Sequence, residues 1–216
     1  MSRTLLVYGD SNSHGTPPMP DWNGAPRFDR QTRWPGVAAA ALGGAWHVIE
    51  EGLPGRTTVL DDLVEGPHRN GALVLPAILG SHAPLDIVVL MLGTNDLKRA
   101  FALTPHEIGD GVEKLVKIIL GAECGPGGAA PQILLVVPPP ILEVGCLAEM
   151  FEGGAAKSAR LLPEYEAIAA KWGAGLLDAG KVIVSSPVDG IHFAAGEHEK
   201  LGRDVAQAVI LQMGKA

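Results

Sequence analysis

Residues 86–96 read DIVVLMLGTND, and this stretch decides the fold. From Ile87 to Leu92 every residue is apolar, so the segment has no polar face to offer water. Such a run suits a parallel strand covered by helices on both sides. Gly93 stops the run, and the polar Thr94-Asn95-Asp96 comes at once after it. In sheets of this kind ligands bind at the carboxyl edge of the strands. The same pattern recurs on either side. Residues 3–8 (RTLLVY) read as a strand that Gly9 ends, leading into Asp10-Ser11, and residues 46–51 (WHVIEE) as one that Gly52 stops. Downstream, residues 132–137 form a strand closed by Pro138-Pro139-Pro140, and residues 176–178 a short fifth one.

Helical patterns alternate with these strands. Residues 32–42 (TRWPGVAAAAL) suit a helix with Pro35 in its first turn. Thr104-Pro105-His106-Glu107 has capping-box spacing, and Ile108, Val112, Leu115 and Ile119 then fall on one helix face. Residues 155–172 read as helix despite Pro163, and residues 194–213 as a closing helix with Leu201, Val205, Ala208 and Val209 as its apolar stripe. The alternation predicts an α/β fold, a three-layer α/β/α sandwich on a five-stranded parallel sheet. With no internal repeat and no long linker, residues 1–216 are expected to form a single domain.

Composition narrows the classes. The chain has 216 residues, 47% hydrophobic and only 19% charged, so its surface is thin in charge. A formal net charge of −7 argues against a nucleic-acid partner held by phosphate contacts. The two cysteines, Cys124 and Cys146, are too few and too far apart for a disulfide framework, a zinc ribbon or a CxxC motif, and read as buried or incidental thiols. The N-terminus lacks the pattern of a signal peptide, and residues 133–142, the longest apolar stretch, are too short to span a bilayer and contain three prolines. A soluble cytoplasmic protein with no membrane contact is expected. No GxGxxG, P-loop or HExxH motif occurs, so neither a cofactor nor a metal is expected, and no GxSxG elbow is present.

The residues just beyond each strand end carry the chemistry. Composition alone predicts roughly 0.05 occurrences of Gly-Asp-Ser and roughly 0.001 of Gly-Thr-Asn-Asp, whereas Asp-x-x-His is expected roughly 0.4 times. A serine hydrolase needs a nucleophile, a base beside it, a group orienting the base, and donors for the oxyanion. Ser11 on a turn after a strand is placed for attack. His192 takes its proton through one ring nitrogen, and Asp189, three residues earlier, accepts from the other. The Asn95 amide and the backbone N–H groups of Gly52 and Ser11 supply the oxyanion donors. Asp10 and Asp96 are expected to tie the site loops together, and Arg56 to stabilise the neighbouring loop. His14, His47, His68, His82, His106 and His198 read as surface or packing residues.

These blocks, in this order, resemble the SGNH hydrolases, also called the GDSL esterase family. The likeness runs from Gly9-Asp10-Ser11-Asn12-Ser13 through Glu51-Gly52-Leu53-Pro54-Gly55 and Gly93-Thr94-Asn95-Asp96 to Asp189-Gly190-Ile191-His192. Asn12 stands where the family name has Leu, a departure that bears on the acyl pocket rather than the chemistry. Arg33-Trp34-Pro35-Gly36-Val37, Arg56-Thr57-Thr58, Phe151-Glu152-Gly153-Gly154 and Phe193 bring the chain close to a bacterial subgroup of small arylesterases and acyltransferases. The resemblance implies a flavodoxin-like sandwich and a serine esterase acting on small short-chain carboxylic esters, aryl esters included. It also implies transfer of acyl groups to alcohols or peroxide, and a homo-oligomer with a restricted apolar entrance. Substrate contacts are expected at Asn12, Leu53, Ile191 and Phe193, and the site rim at residues 16–30, 61–70 and 138–154. A carbohydrate acetylesterase or a lysophospholipase/thioesterase is the alternative within the family. Outside it stand a metal-dependent hydrolase using Asp10, Asp96, Asp189 and His192, and a binding module that has lost its chemistry.

Overall fold

The computed structural model describes residues 2–24 and 26–214. Residue 25, inside the expected rim segment 16–30, and residues 1, 215 and 216 lie outside the described residues. Five strands form one parallel sheet: β1 (Arg3–Gly9), β2 (Trp46–Gly52), β3 (Ile87–Met91), β4 (Gln132–Val137) and β5 (Gly175–Asp178), in the order β2-β1-β3-β4-β5. This is the flavodoxin-like order, with its switch point between β1 and β3. Ser11 lies just past one of those strands and Asn95 just past the other.

The described residues form seven α-helices: α1 (Ser11–His14), α2 (Trp34–Leu42), α3 (Gly71–His82), α4 (Pro105–Gly121), α5 (Gly154–Ser158), α6 (Leu161–Trp172) and α7 (Ala195–Met213). Successive strand residues point to opposite faces, so the sheet carries two cores. Leu6, Tyr8, Val88, Leu90 and Leu135 pack against α3, α4 and α6, through residues such as Leu79, Val112 and Tyr165. Leu5, Val7, Val89, Met91 and Val136 pack against α2 and α7, through Trp34, Leu201 and Val205. Both faces are dry, which is why the strands read as unbroken apolar runs.

The expected capping box at the start of α4 is present, with Thr104 and Glu107 each bonding the other's backbone. Three helical features differ from expectation. Residues 155–172 are two helices rather than one: Arg160 leaves helical geometry at φ −110° and ψ 8°. Pro163 then falls in the first turn of α6, where its missing N–H costs nothing. α3 carries no sequence signal because it is apolar nearly all round. It buries Leu75 and Leu79 while exposing Leu73, and it contains Pro76. The single turn α1 is too short to leave a periodic pattern. Among the described residues no helix is long and apolar enough to cross a membrane.

The α2 and α7 helices touch closely at Gly202, where a Cβ would lie 2.6 Å from Val37 Cβ and 2.7 Å from Trp34 O. Near the start of the same helix, a Cβ at Gly196 would meet nothing within 4 Å. Gly202→Leu is therefore expected to cost about 1–3 kcal/mol of stability through overpacking, seen as a lower urea midpoint. Gly196→Ala should hold or raise it, since Ala gains up to about 1 kcal/mol over Gly in a helix. Equal effects from the two substitutions would contradict this packing.

Candidate active site

Ser11 opens α1 directly beyond β1. Asp10 caps that helix, its carboxylate accepting the Asn12 N–H at 2.9 Å, and Gly15 ends it in the left-handed region at φ 88°. The turn is tight enough that a Cβ on Gly9 would lie 2.0 Å from Ser13 Oγ. At the first position of a helix, the Ser11 N–H has no intrahelical partner.

His192 reaches this serine from the loop before α7. Its Nε2 lies 3.1 Å from Ser11 Oγ and its Nδ1 lies 2.6 Å from Asp189 Oδ2. Asp189 is fully buried and saturated with donors. Oδ1 accepts the Ile191 and His192 N–H groups, each at 3.0 Å, and Oδ2 also accepts the Met19 N–H at 2.7 Å. Burial alone would raise this carboxyl, but the imidazole and the backbone donors outweigh it and bring it down to about 2. The Asp189 loop turns at Gly190, φ 80°, where a Cβ would sit 2.0 Å from Leu142 O. Gly190 O in turn accepts the Leu142 N–H at 2.9 Å, so the 138–154 rim segment props the loop.

Gly52 ends β2 directly beside Gly9. The α1 backbone presses on it: a Cβ there would lie 2.3 Å from His14 N and 2.6 Å from Ser13 C. Asn95 is buried in the turn after β3, and its Nδ2 donates one hydrogen to Arg56 O at 3.1 Å, leaving the other free. That turn begins at Gly93, φ 114°, where a Cβ would collide with the Tyr165 hydroxyl, itself a donor to Leu92 O. Asp96 accepts the Thr58 N–H at 3.0 Å and the Thr58 hydroxyl, joining the 56–58 segment to the Asn95 turn. Burial pushes Asp96 and Asp10 each up to about 6, overriding the hydrogen bonds from Thr58 and Asn12.

The structure thus brings Ser11, His192 and Asp189 into one hydrogen-bonded chain, with Gly52 and Asn95 on the neighbouring strand ends. The expected substrate contacts need correction. Phe193 is 1% exposed and packs in the α2–α7 core against His198, so it offers a substrate no surface. Ile191 is also buried, in the core of the opposite face. Asn12 is buried too, its Nδ2 donating to Ile191 O at 3.2 Å. These three are buried, and of the four only Leu53 keeps partial exposure. Two contacts lie beyond the sequence-based expectations. The Met19 backbone bond to Asp189 has no side-chain signature, and the Arg56 side chain reaches Gly9 O and Glu51 O rather than only its own loop.

The three expected rim segments meet residues 98–101 around an open groove of about 660 Å³, with Trp22, Leu63, Val64, Phe101, Cys146 and Met150 on its walls. Cys146 Sγ donates to Met19 O at 3.3 Å, so this thiol belongs to the rim, whereas Cys124 is buried. Lys98 Nζ pairs with Asp62 Oδ2 at 3.0 Å in the groove wall. Of the other histidines, His198 is buried, accepts the Trp34 N–H at 3.2 Å and is pulled down by burial to about 4. Among the described residues no group of three or more His, Cys, Asp or Glu is arranged to hold a metal ion.

A family model for the GDSL-like lipase/acylhydrolase family matches residues 7–199. The structure of an M. smegmatis aryl esterase is 41% identical with a TM-score of 0.92, over 98% of this chain and 100% of that one. A carbohydrate acetylesterase from Sinorhizobium meliloti, Est24, is 40% identical with a TM-score of 0.92, over 97% of this chain and 99% of that one. A lipolytic G-D-S-L family member from Veillonella parvula shares the fold at 13% identity and a TM-score of 0.67, over 95% of this chain and 97% of that one. No curated protein sequence matches the chain.

The Asp189 carboxyl gives a pH signature. Its folded value near 2 lies below the usual 3.8, so its stabilisation is complete above about pH 4 and is lost as pH falls through 2. The gap in urea midpoint between wild type and Asp189→Asn should be widest near pH 6 and shrink from pH 4 toward pH 2. A gap independent of pH would show that the carboxylate charge contributes nothing there.

Proposed function

Because the chain belongs to the GDSL-like lipase/acylhydrolase family, whose members act as esterases on carboxylic esters, we propose that Ser11 is its nucleophile, His192 its general base and Asp189 the group that orients the base. The unbroken chain from Ser11 Oγ through His192 to Asp189, at 3.1 and 2.6 Å, carries this reading. Ser11 Oγ attacks the ester carbonyl carbon as its proton passes to His192 Nε2. The oxyanion is held by the N–H groups of Ser11 and Gly52 and by the free amide hydrogen of Asn95. Collapse breaks the bond to the alcohol, which leaves with the proton from His192. Water then gives a proton to the same nitrogen as it attacks the acyl-enzyme carbon; collapse breaks the bond to Ser11 Oγ, which takes that proton back from His192, and the carboxylic acid leaves.

The substrates are small short-chain carboxylic esters, aryl esters among them, a reading that the 41% identity to the M. smegmatis aryl esterase supports. The 40% identity to Est24 favours acetylated carbohydrate as a second class. Alcohols or peroxide also take the acyl group from Ser11 in place of water. The chain acts as a single domain and as a homo-oligomer. Leu63 and Val64, 86% and 93% exposed, leave on the groove rim an apolar tip that a second copy covers. A cytoplasmic location is in keeping with the two unbridged cysteines.

Four measurements test these assignments. Ser11→Ala should lose labelling by a serine-directed phosphonate and all turnover of p-nitrophenyl acetate, and labelling at another residue would displace Ser11. Asn95→Ala should keep its circular dichroism spectrum while kcat falls about a hundredfold or more, equivalent to roughly 3–4 kcal/mol of lost oxyanion stabilisation. A chain-length series of p-nitrophenyl esters and an acetylated sugar, each with and without added alcohol, separates aryl from carbohydrate esters and hydrolysis from transfer. A monomeric mass in light scattering would remove the oligomer.

A further inference from the structure

We propose that Arg56 is a positioning residue for the oxyanion site, its guanidinium orienting the peptide that carries the Gly52 N–H and its main-chain carbonyl orienting the Asn95 amide. The proposal rests on the oxyanion roles assigned above to Gly52 and Asn95.

Arg56 is 3% exposed, an unusual degree of burial for a permanent cation. Among the described residues it makes no ion pair within 4.0 Å, so no carboxylate contact explains why it is there. Its partners are backbone oxygens. Nη1 donates to Gly9 O at 2.9 Å and to Glu51 O, and the guanidinium carbon stands 4.1 Å from the centre of the Tyr8 ring.

The two acceptor carbonyls reveal the role. In a trans peptide, the C=O of one residue and the N–H of the next point in opposite directions. Drawing the Glu51 carbonyl toward Arg56 therefore turns the Gly52 N–H away from it. Drawing the Gly9 carbonyl the same way fixes the peptide that leads into Asp10-Ser11. The Arg56 main chain performs the third task. Its N–H closes a turn on Leu53 O at 3.1 Å, with Gly55 at φ 76°, and its carbonyl accepts one hydrogen of Asn95 Nδ2 at 3.1 Å. An amide with one hydrogen tied in this way has a fixed direction for the other. One residue thus sets the orientation of two of the three oxyanion donors and of the peptide before the third. With Nη1 on both carbonyls, the guanidinium carbon lies over the Tyr8 ring, a combination that a compact ammonium or a neutral amide makes less well.

The test is a double-mutant cycle of Arg56→Lys with Asn95→Ala, with kcat expressed per active site titrated by a serine-directed phosphonate, so that unfolded chain is not counted. Arg56→Lys is expected to lower kcat about tenfold or more on p-nitrophenyl acetate with KM within about twofold. In the Asn95→Ala background the same change should lower kcat by about the same factor, because the guanidinium aims the Gly52 N–H while the main-chain carbonyl that holds Asn95 is kept in the lysine variant. A loss that disappears in the Asn95→Ala background, or a kcat for Arg56→Lys near wild type, overturns the proposal. Should the lysine variant not fold, Arg56→Gln takes its place in the cycle. If neither variant folds, Arg56 is a folding residue and the proposal is lost. Failure of the underlying reading looks different: Asn95→Ala alone would then leave kcat unchanged.

Discussion

Gly9 stands beside Gly52 on one side and Met91 on the other, and this register of β1 with its neighbours governs the whole site. It ends three parallel strands at one level, so that Ser11, Gly52 and the Asn95 turn emerge together. Sheets buried on one face take their register from the alternation of apolar and polar residues, because a slip of one residue turns the apolar set outward. That safeguard is weak here, since β1 and β3 are apolar on both faces. Polar clamps at the strand ends supply what alternation does not. At the amino edge Thr4 N donates to Asp86 Oδ2 at 2.6 Å and Asp86 N donates to Thr4 O at 2.9 Å. At the carboxyl edge Arg56 gathers Gly9 O and Glu51 O, and the Tyr8 hydroxyl donates to Gly71 O at 2.7 Å. The apolar strands thus supply the cohesion and a handful of buried polar groups the alignment.

The same edge holds three buried aspartates with opposite electrostatic fates. Asp10 and Asp96 are pushed up to about 6 because burial outweighs the donors each has collected. Asp189, equally hidden, sits near 2 because an imidazole and three backbone N–H groups face it. The supply of donors helps to separate them. The outcome suits the proposed chemistry: an aspartate that stays ionised faces His192, while the two more readily protonated ones cap and tie the loops.

The fold is largely legible in the sequence because its strands are apolar runs stopped by glycine and succeeded at once by rare polar blocks. The site is legible for a related reason. Ser11, Gly52 and Asn95 sit at or within a few residues of a strand end, and the Asp189–His192 pair needs only a three-residue spacing. The features that escape lack periodic or side-chain information. α3 is apolar on its exposed flank as well as its buried one, and the Met19 bond to Asp189 is a backbone contact across 170 residues. Phe193 is deceptive because a large aromatic beside the proposed catalytic histidine looks like a pocket wall, whereas it is buried in the core.

The wall of the groove is bonded to the turn that carries Asn95. Asp62 caps the tip that bears Leu63 and Val64, its Oδ1 accepting the Val64 and Glu65 N–H groups at 2.9 Å each. Its other oxygen holds Lys98, whose N–H closes the turn on Asn95 O at 3.2 Å. The hydrogen bonds from Lys98 and the backbone outweigh burial and keep this carboxyl down at about 2, so Asp62 stays ionised throughout the neutral range. A nearly buried ion pair of this kind is costly to break by removing one partner. Asp62 thus joins the apolar tip on the groove wall to the turn that carries Asn95, and a substitution at this one residue acts on both.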